Sequence, residues 1–308
     1  MTIIVFGSIN LDLVTRTHRL PKPGETLAGI SFFTASGGKG ANQAVAAAKL
    51  GMITWMIGRV GGDSFGQELL ESLQQSGVKC DRILIDDTTP SGIATITVED
   101  TGENTIVIVP GANDRVNESD CDRLTDLLPH AAALLLQLEI PLPAVLAAAK
   151  KAQNAGVPVI LDPAPARELP PELYALIDII TPNETELSIL TGIAVRDIET
   201  AREAITELQR RGVRTAIAKL GAKGVLCARG EEELFVPAFA VAAVDTVAAG
   251  DAFNGALAVA IAQGLPLREA IVWGAAAGAL TVTKPGAQSA LPSRLTFEDF
   301  LREGKIKT

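Results

Sequence analysis

The sequence predicts an α/β protein in which a mostly parallel sheet is joined by helices and a small separate β-sheet forms a lid. Between residues 41 and 283, short apolar strand-like runs alternate with helical segments. Residues of about 11–35 and 92–110 instead alternate polar and apolar side chains between turn residues, which indicates short antiparallel strands. No repeat, low-complexity tract or linker interrupts the chain, so we predict a single domain over 1–308.

The individual elements follow from the hydrophobic pattern. An apolar run over residues 1–7 ends in Gly-Ser, which is typical of a buried strand leading into a loop. Residues 92–98 and 105–109, separated by a turn at 100–102, indicate a hairpin. Further strands are predicted at 53–60, 133–138, 157–161, 178–181 and 213–220. Helices are predicted at 41–50, 65–75, 141–155, 184–191, 197–211, 250–264 and 267–283.

Charge and hydropathy exclude several classes of partner. The net charge is −9 and no dense Lys/Arg stretch is present, so we expect no nucleic-acid partner. The longest apolar stretches, around 255–265 and 271–283, are broken by Gly and polar residues, so we expect no membrane span. The first residues lack the basic and apolar regions of a signal peptide.

Cysteine and histidine usage narrows the chemistry. Cys80, Cys121 and Cys227 are far apart without a Cys-x-x-Cys spacing, which indicates reduced thiols and a cytoplasmic protein. The only histidines are His18 and His130, which argues against a His-based metal site or a Ser-His-Asp triad. A catalytic base is therefore expected among the carboxylates.

The first chemical motif is the run of residues 245–255. Its Ala248-Ala249-Gly250 turn precedes a small-residue helix, where free N–H groups and the helix dipole favour an anion. Asp251 lies at the edge of that site. An N-cap carboxylate without chemistry is the structural alternative, but Asp245 and Gly255 in the same run favour the functional interpretation.

The second motif is Gly-Gly-Lys-Gly-Ala-Asn-Gln at residues 37–43. It is not a Walker P-loop, because Phe33 and Gly40 occupy positions where that pattern needs Gly and Ser or Thr. Flexible glycines let the backbone approach a ligand, while Lys39 and Asn42 supply donors at a helix start. A plain strand-to-helix turn is the alternative.

Polar residues at strand ends form the third group. Asn10 and Asp12 follow the first strand on one side of an extended segment, and an amide beside a carboxylate suits vicinal hydroxyls. Asx-turn capping is the alternative. Glu139 and the run 181–186 end other strands, and residues 220–224 form a Gly-rich turn of the kind that covers phosphates. Each is ambiguous alone.

Taken together, these stretches resemble the PfkB family of carbohydrate kinases, and within it the ribokinases. The resemblance runs from Gly7 to about Pro292 and includes residues 37–42, 162–167, 181–186 and 245–255. It implies a ribokinase-like three-layer α/β/α sandwich with a small β-sheet lid, which often also makes a homodimer contact. It implies transfer of the γ-phosphoryl group of ATP to the 5-hydroxyl of ribose, with Mg²⁺ and K⁺ as ions.

The resemblance also implies site residues. Asp251 would be the base on the accepting hydroxyl, and the N–H groups of Ala248, Ala249 and Gly250 would form an anion hole. The sugar would be held by Asn10, Asp12, Gly38, Lys39, Asn42, Glu139 and Asp251. The nucleotide and Mg²⁺ would lie near Asn183, Glu186, Lys219, Gly221, Gly224 and Gly250. A potassium ion would be held by Asp245, Val247, Thr281, Lys284 and Gly286.

Departures and alternatives remain. Lys219 stands where Thr is frequent, and Ala290 replaces a Ser that can ligate the cation, although Ser289 is adjacent. Another PfkB kinase would act on fructose, a sugar phosphate, deoxyribose or a nucleoside. The sugar motifs offer no evident cation for a distal phosphate, and Asn10 and Glu139 favour a free pentose. A non-catalytic sugar sensor would be expected to have lost the base or the anion hole.

Overall fold

The computed structural model describes residues 1–304, which contain fourteen strands and nine α-helices. The strands are β1 Thr2–Phe6, β2 Asn10–Arg16, β3 Ser31–Gly37, β4 Thr54–Ile57, β5 Arg59–Gly61, β6 Leu84–Asp86, β7 Gly92–Val98, β8 Asn104–Val109, β9 Ala131–Leu136, β10 Val159–Leu161, β11 Ile179–Ile180, β12 Thr215–Lys219, β13 Val225–Arg229 and β14 Glu232–Val236. The helices are α1 Lys39–Lys49, α2 Ser64–Gln75, α3 Leu142–Asn154, α4 Pro171–Tyr174, α5 Glu184–Thr191, α6 Ile198–Arg210, α7 Ala249–Ala262, α8 Leu267–Thr281 and α9 Arg294–Glu303.

Short 3₁₀ helices cover Gly111–Arg115, Glu118–Leu124, Leu128–His130 and Gly221–Lys223. The single domain over 1–308 stays a prediction, and its last four residues lie outside the described ones. Among residues 1–304, no helix combines the length and hydropathy that crossing a membrane requires.

The large sheet has eight strands in the order β14-β13-β12-β11-β10-β9-β1-β4. The strands from β12 to β4 pair in parallel, whereas β13 and β14 are antiparallel. One face packs against α1, α7 and α8, and the other packs against α3, α5 and α6. The predicted three-layer α/β/α architecture is therefore confirmed, and polar residues after the parallel strands meet at one edge of the sheet.

The predicted lid is a separate four-stranded sheet in the order β3-β2-β7-β8. The predicted hairpin is confirmed, because β7 and β8 pair antiparallel. The expectation of antiparallel strands throughout is wrong for the central pair, since β2 and β7 run parallel. That pairing joins two segments separated by about eighty residues, which local turn signals cannot reveal.

Several elements differ from the sequence prediction. The strand predicted at 53–60 breaks at Gly58, where a Cβ would lie 2.5 Å from the carbonyl oxygen of Gly7. The chain then continues as β5, which pairs with β6 in a small third sheet. The β13–β14 hairpin and α9 were not predicted. In α9 Phe297 is buried, and Phe300 and Leu301 pack partly buried against the core.

All three cysteines are buried and free, as expected for reduced thiols. Burial raises the pKa of Cys80 to about 11 and the pKa values of Cys121 and Cys227 to about 12. At neutral pH these side chains are therefore protonated, and they act as small apolar groups of the core.

Candidate functional site

The Gly-rich motif places the start of α1 directly against the loop that follows β1. Gly38 is the N-cap of α1 with φ +86°, and a Cβ there would lie 2.7 Å from the backbone nitrogen of Asn10. A Cβ at Gly40 would lie 2.6 Å from the backbone nitrogen of Ser8. Only glycine allows this approach. The motif therefore brings Lys39 and Asn42 beside the segment that carries Asn10 and Asp12.

Glu139 holds these two segments together. Its Oε2 accepts hydrogen bonds from the Ser8 hydroxyl at 2.6 Å and from the Lys39 backbone N–H at 3.0 Å. The second contact satisfies one of the free N–H groups at the start of α1. Both contacts use the same carboxylate oxygen, so Oε1 is not consumed by them.

Asn10 and Asp12 lie on one face of β2, as alternation along the strand predicts. Asn10 is buried, and its Oδ1 accepts a hydrogen bond from Asn113 Nδ2 at 2.7 Å. The Asn113 amide also pairs with the backbone N–H and carbonyl of Ile9 at 2.9 and 3.0 Å. This geometry replaces the Asx turn considered as an alternative. It leaves the Asn10 amide group as a donor beside the Asp12 carboxylate, which can accept.

The start of α7 provides the predicted turn. Its N-cap is Ala248, whose φ of +58° is left-handed, a conformation that costs free energy for a residue other than glycine. Among residues 1–304, the N–H groups of Ala248 and Gly250 have no hydrogen-bond partner. Ala249 instead donates to the carbonyl of Thr246 at 3.4 Å. Two of the three predicted donors are therefore free to bind an anion.

Asp251 lies in the first turn of α7 and is buried. The N-cap interpretation is therefore wrong for this residue, because Ala248 takes that position. Its Oδ2 accepts from Asn42 Nδ2 at 2.9 Å and its Oδ1 accepts from Gln43 Nε2 at 3.1 Å. The two motifs, about 200 residues apart in the chain, thus meet in one hydrogen-bonded unit.

Burial and neighbouring carboxylates set the charge states of this unit. Burial raises the pKa of Asp251 to about 6, with Lys39 lowering it and Asp162 raising it. Burial raises the pKa of Asp12 to about 7, and repulsion from Glu139 and Asp251 adds to the shift. Burial alone would lower the pKa of Lys39, but Asp251, Asp162 and Glu139 outweigh it and hold that pKa above its ordinary value. Lys39 is therefore a charged lysine facing carboxylates.

Apart from Gly250 in α7, the residues predicted for the nucleotide lie after β11 and at or after the end of β12. Asn183 and Glu186 form a reciprocal capping box at the start of α5, in which each side-chain oxygen accepts from the backbone N–H of the other residue at 2.8 Å. Burial raises the pKa of Glu186, and Lys219 opposes that shift. In the turn after β12, a Cβ at Gly221 would meet no atom within 4 Å. A Cβ at Gly224, in contrast, would lie 2.3 Å from the carbonyl oxygen of Val236. Gly224 is therefore required by packing.

The comparisons with known proteins agree with this geometry. Residues 2–294 match the pattern of the pfkB family carbohydrate kinases. The chain belongs to the PfkB family. It is 44% identical to a ribokinase of Haemophilus influenzae over 97% of this chain and 98% of that protein. It is 40% identical to a deoxyribokinase of Salmonella typhimurium over 98% and 99% of the two chains.

Solved structures of PfkB kinases have the same fold. The structure of an Arabidopsis thaliana ribokinase complexed with ribose and ATP has a TM-score of 0.91 and 37% identity, covering 98% of both chains. A Thermotoga maritima ribokinase has a TM-score of 0.90 and 39% identity, covering 98% of this chain and 99% of that chain. This PfkB kinase is accordingly an ATP-dependent sugar kinase of the ribokinase type.

The segments predicted to hold a monovalent cation also meet in this PfkB kinase. Asp245 Oδ1 accepts from the backbone N–H of Val247 at 3.0 Å, and Oδ2 accepts from that of Gly286 at 2.9 Å. At the end of α8, the Lys284 N–H donates to the carbonyl of Thr281 at 3.2 Å. The Asp245 carboxylate and the backbone carbonyls of the segments that meet here are the kind of oxygen ligand that suits K⁺. The occupancy of this site by K⁺ stays a prediction.

Several polar residues of this PfkB site were not assigned roles from the sequence. Gln43 and Asp162 lie inside recognised motifs and Gln137 lies in a predicted strand, but the contacts that connect the three span about 100 residues or more. Asn113 lies outside every recognised motif. It borders a cavity of about 230 Å³ that is also lined by Asn10 and Glu139. The cavity joins the β7–β8 side of the lid to the predicted sugar residues.

Proposed function

We propose that this kinase transfers the γ-phosphoryl group of ATP to the 5-hydroxyl of ribose. The observation that carries the proposal is the junction at Asp251. Its buried carboxylate lies next to free N–H groups of the α7 start and is held by amides of α1, the helix of the sugar motif. A base, an anion site and hydroxyl-binding groups are thus brought together, as phosphoryl transfer to an alcohol requires.

The polarity of the sugar residues supports ribose as the acceptor. Because Asn113 donates a hydrogen bond to Asn10 Oδ1, the Asn10 amide offers its N–H groups as donors, while the neighbouring Asp12 offers acceptors. A donor beside an acceptor matches two adjacent hydroxyls, and 2-deoxyribose lacks one of the pair at C2 and C3. The relatives named ribokinase and the ribose complex of the Arabidopsis thaliana protein support the same choice.

Asp251 can act although it is a weak base. In the loose transition state of phosphoryl transfer the alcohol proton leaves late, so the ground-state alcohol need not be ionised. Asp251 therefore orients the hydroxyl and accepts its proton as the new P–O bond forms. The N–H groups of Ala248 and Gly250 stabilise charge on the phosphoryl oxygens. Lys39 adds a positive charge on the acceptor side.

Two ions belong to the proposal. Mg²⁺ bound with ATP would neutralise phosphate charge, and Glu186 and Asn183 are oxygen donors that fit such an ion because nucleotide phosphates supply most of its ligands. K⁺ would lie near Asp245 and Gly286. The Ser289 hydroxyl is 2.7 Å from where a Cβ of Gly286 would be, so Ser289 is the hydroxyl that would substitute for Ala290 in this proposal.

An ADP-release assay across acceptors tests the assignment. Ribose, 2-deoxyribose, fructose and adenosine would each be measured with and without K⁺. We expect kcat/KM for ribose to exceed that for 2-deoxyribose by about 10-fold or more, because one hydrogen bond to the buried site is lost. Equal or faster turnover of 2-deoxyribose would assign a deoxyribokinase. Ribose binding in calorimetry without ADP release from any acceptor would favour a sensor.

We also propose that the kinase is cytoplasmic and forms a homodimer through the lid. β8 is an edge strand, and its successive apolar residues Ile106, Val107, Ile108 and Val109 are all exposed, Val107 by 62%. Phe32 on the opposite edge strand is 63% exposed. Open edges with apolar side chains can pair with a second copy.

Light scattering coupled to size exclusion tests the dimer. The wild type is expected at twice the chain mass of 32.1 kDa, and Val107→Asp is expected at the monomer mass because a charge disrupts the apolar contact. Ile189→Asp, a matched change at an exposed residue of α5, is expected to leave the dimer intact. A monomeric wild type, or a Val107→Asp variant that stays dimeric, would contradict the lid contact.

A further inference from the structure

Asp162 is a buried carboxylate that the mechanism above does not use. It follows β10 directly and is 2% exposed. Its Oδ1 accepts from the Lys219 ammonium at 2.9 Å, and its Oδ2 accepts from Gln43 Nε2 at 3.0 Å. Each carboxylate oxygen therefore has a different partner, and each partner belongs to a different side of the site.

The Gln43 amide connects Asp162 to the base. The same Nε2 donates to Asp162 Oδ2 and to Asp251 Oδ1, one hydrogen for each carboxylate. Its Oε1 accepts from Gln137 Nε2 at 2.7 Å, and this contact fixes the orientation of the amide. The reverse orientation would place an amide oxygen against two carboxylates. Gln43 is fully buried, so water cannot take over these contacts.

The Lys219 ammonium connects Asp162 to the anion site. Its Nζ lies 3.1 Å from the position that a Cβ of Gly250 would occupy, so the charge lies beside the first turn of α7. Lys219 also lowers the pKa of Glu186, which shows that its charge reaches the α5 start. The ion pair is mostly buried, with 14% and 3% of the two side chains exposed.

We propose, on the basis of the function proposed above, that Asp162 is a positioning residue for phosphoryl transfer. It holds Lys219 beside the anion site with one oxygen and, through Gln43, holds the carboxylate of Asp251 with the other. One carboxylate thereby couples two placements. These are the position of the Lys219 ammonium, which faces the transferring phosphoryl group, and the position of the base Asp251. Lys219 contributes positive charge to the anion site that two free N–H groups alone do not supply.

A purely structural ion pair is the competing explanation. Buried ion pairs often contribute little net stability, and removing one partner destabilises a protein wherever the pair lies. A structural pair would lower activity only through loss of folded protein. The positioning role instead alters kcat and the acidic limb of the pH profile in folded enzyme. The charged groups that face Asp251 are Lys39 from α1, Asp12 from β2 and Asp162 after β10.

The first test replaces Asp162 by Asn. We expect kcat to fall about 10- to 100-fold, while KM for the sugar changes less than about 3-fold. Because Asp162 raises the pKa of Asp251, its neutralisation moves the acidic limb of kcat/KM to lower pH. The matched control is Asp120→Asn, which removes another 2% exposed carboxylate that pairs with Arg59. That control is expected to lower Tm but leave both kcat and the limb in place.

The second test is a double-mutant cycle between Asp162→Asn and Lys219→Met. If the two residues act as one unit, the double variant has about the same kcat as the slower single variant. Independent effects that multiply, or an unmoved acidic limb with kcat within about 3-fold of wild type for Asp162→Asn, would overturn the proposal. The series uses whichever sugar the wild type phosphorylates fastest. A failure of the ribose assignment therefore leaves this test unaffected.

Discussion

Asp251→Asn is expected to lose kcat by about 10²-fold or more while still binding the sugar. The carboxylate accepts one hydrogen bond from Asn42 and one from Gln43, and an amide at this position offers only one acceptor oxygen. The variant therefore loses the proton acceptor and also places an N–H group against one of the two donors. Steady-state ADP release gives kcat, and calorimetry gives the dissociation constant of the sugar. Turnover within about 3-fold of wild type would remove Asp251 from the mechanism.

The pH profile adds an independent check on the same residue. Burial raises the pKa of Asp251 to about 6, and only its ionised form accepts the proton. Wild-type kcat/KM should therefore rise with pH through about 6, and again through about 7 as Asp12 ionises, and Asp251→Asn should lack the first of these two limbs in its residual activity. Asp81→Asn, at an exposed carboxylate outside the site, serves as a charge-matched control with a normal profile. A limb that persists in Asp251→Asn belongs to another group.

The fold was predictable where local signals and tertiary structure agree. The bounds of α5, Glu184–Thr191, match the prediction because Asn183 and Glu186 form a capping box and Gly192 ends the helix in the left-handed conformation. The strand predicted at 53–60 is confirmed over Thr54–Ile57, but its break at Gly58 was not predicted because it depends on Gly58 meeting Gly7, a contact between distant segments. Local patterns carry no information about such contacts.

Some residues of the candidate site were likewise predictable from local sequence, and others were not. Asp251, Lys39 and Asn42 lie in motifs whose glycines and helix starts indicate a ligand without knowledge of the fold. The roles of Asn113, Gln43 and Asp162 depend on partners between about 60 and 200 residues away, so only the folded chain reveals them. A buried amide needs hydrogen-bond partners for its donor and acceptor atoms. The role of a polar residue beside a motif can therefore be inferred once the fold shows which partners it has.

Asp12→Asn is expected to weaken sugar binding by about 10- to 100-fold, because a charged acceptor for a hydroxyl is replaced by a neutral amide. Calorimetry measures this loss. A kinase that holds its sugar without Asp12 would show an unchanged dissociation constant. Since Asp251 and the anion site are untouched, kcat at saturating sugar should fall much less than in Asp251→Asn.

The same substitution should stabilise the free protein at neutral pH. The folded-state pKa of Asp12 is about 7, above its ordinary value of 3.8, so the folded state binds this proton more tightly than the unfolded state. Wild-type stability is therefore lost as pH rises from about 4 through 7, and Asn does not titrate. The gain in unfolding free energy of the variant should grow between pH 5 and pH 8 to about 1–2 kcal/mol after solvent screening.

Denaturant unfolding at several pH values measures that gain. Asp81→Asn, at an exposed carboxylate outside the site, controls for the general loss of one negative charge from a chain of net charge −9. A gain for Asp12→Asn that does not change with pH would mean that ionisation of the buried Asp12 carboxylate is not its source. The expected pairing of higher stability with weaker binding follows from burying the Asp12 carboxylate beside Glu139 and Asp251, a cost in stability that the proposed sugar site requires.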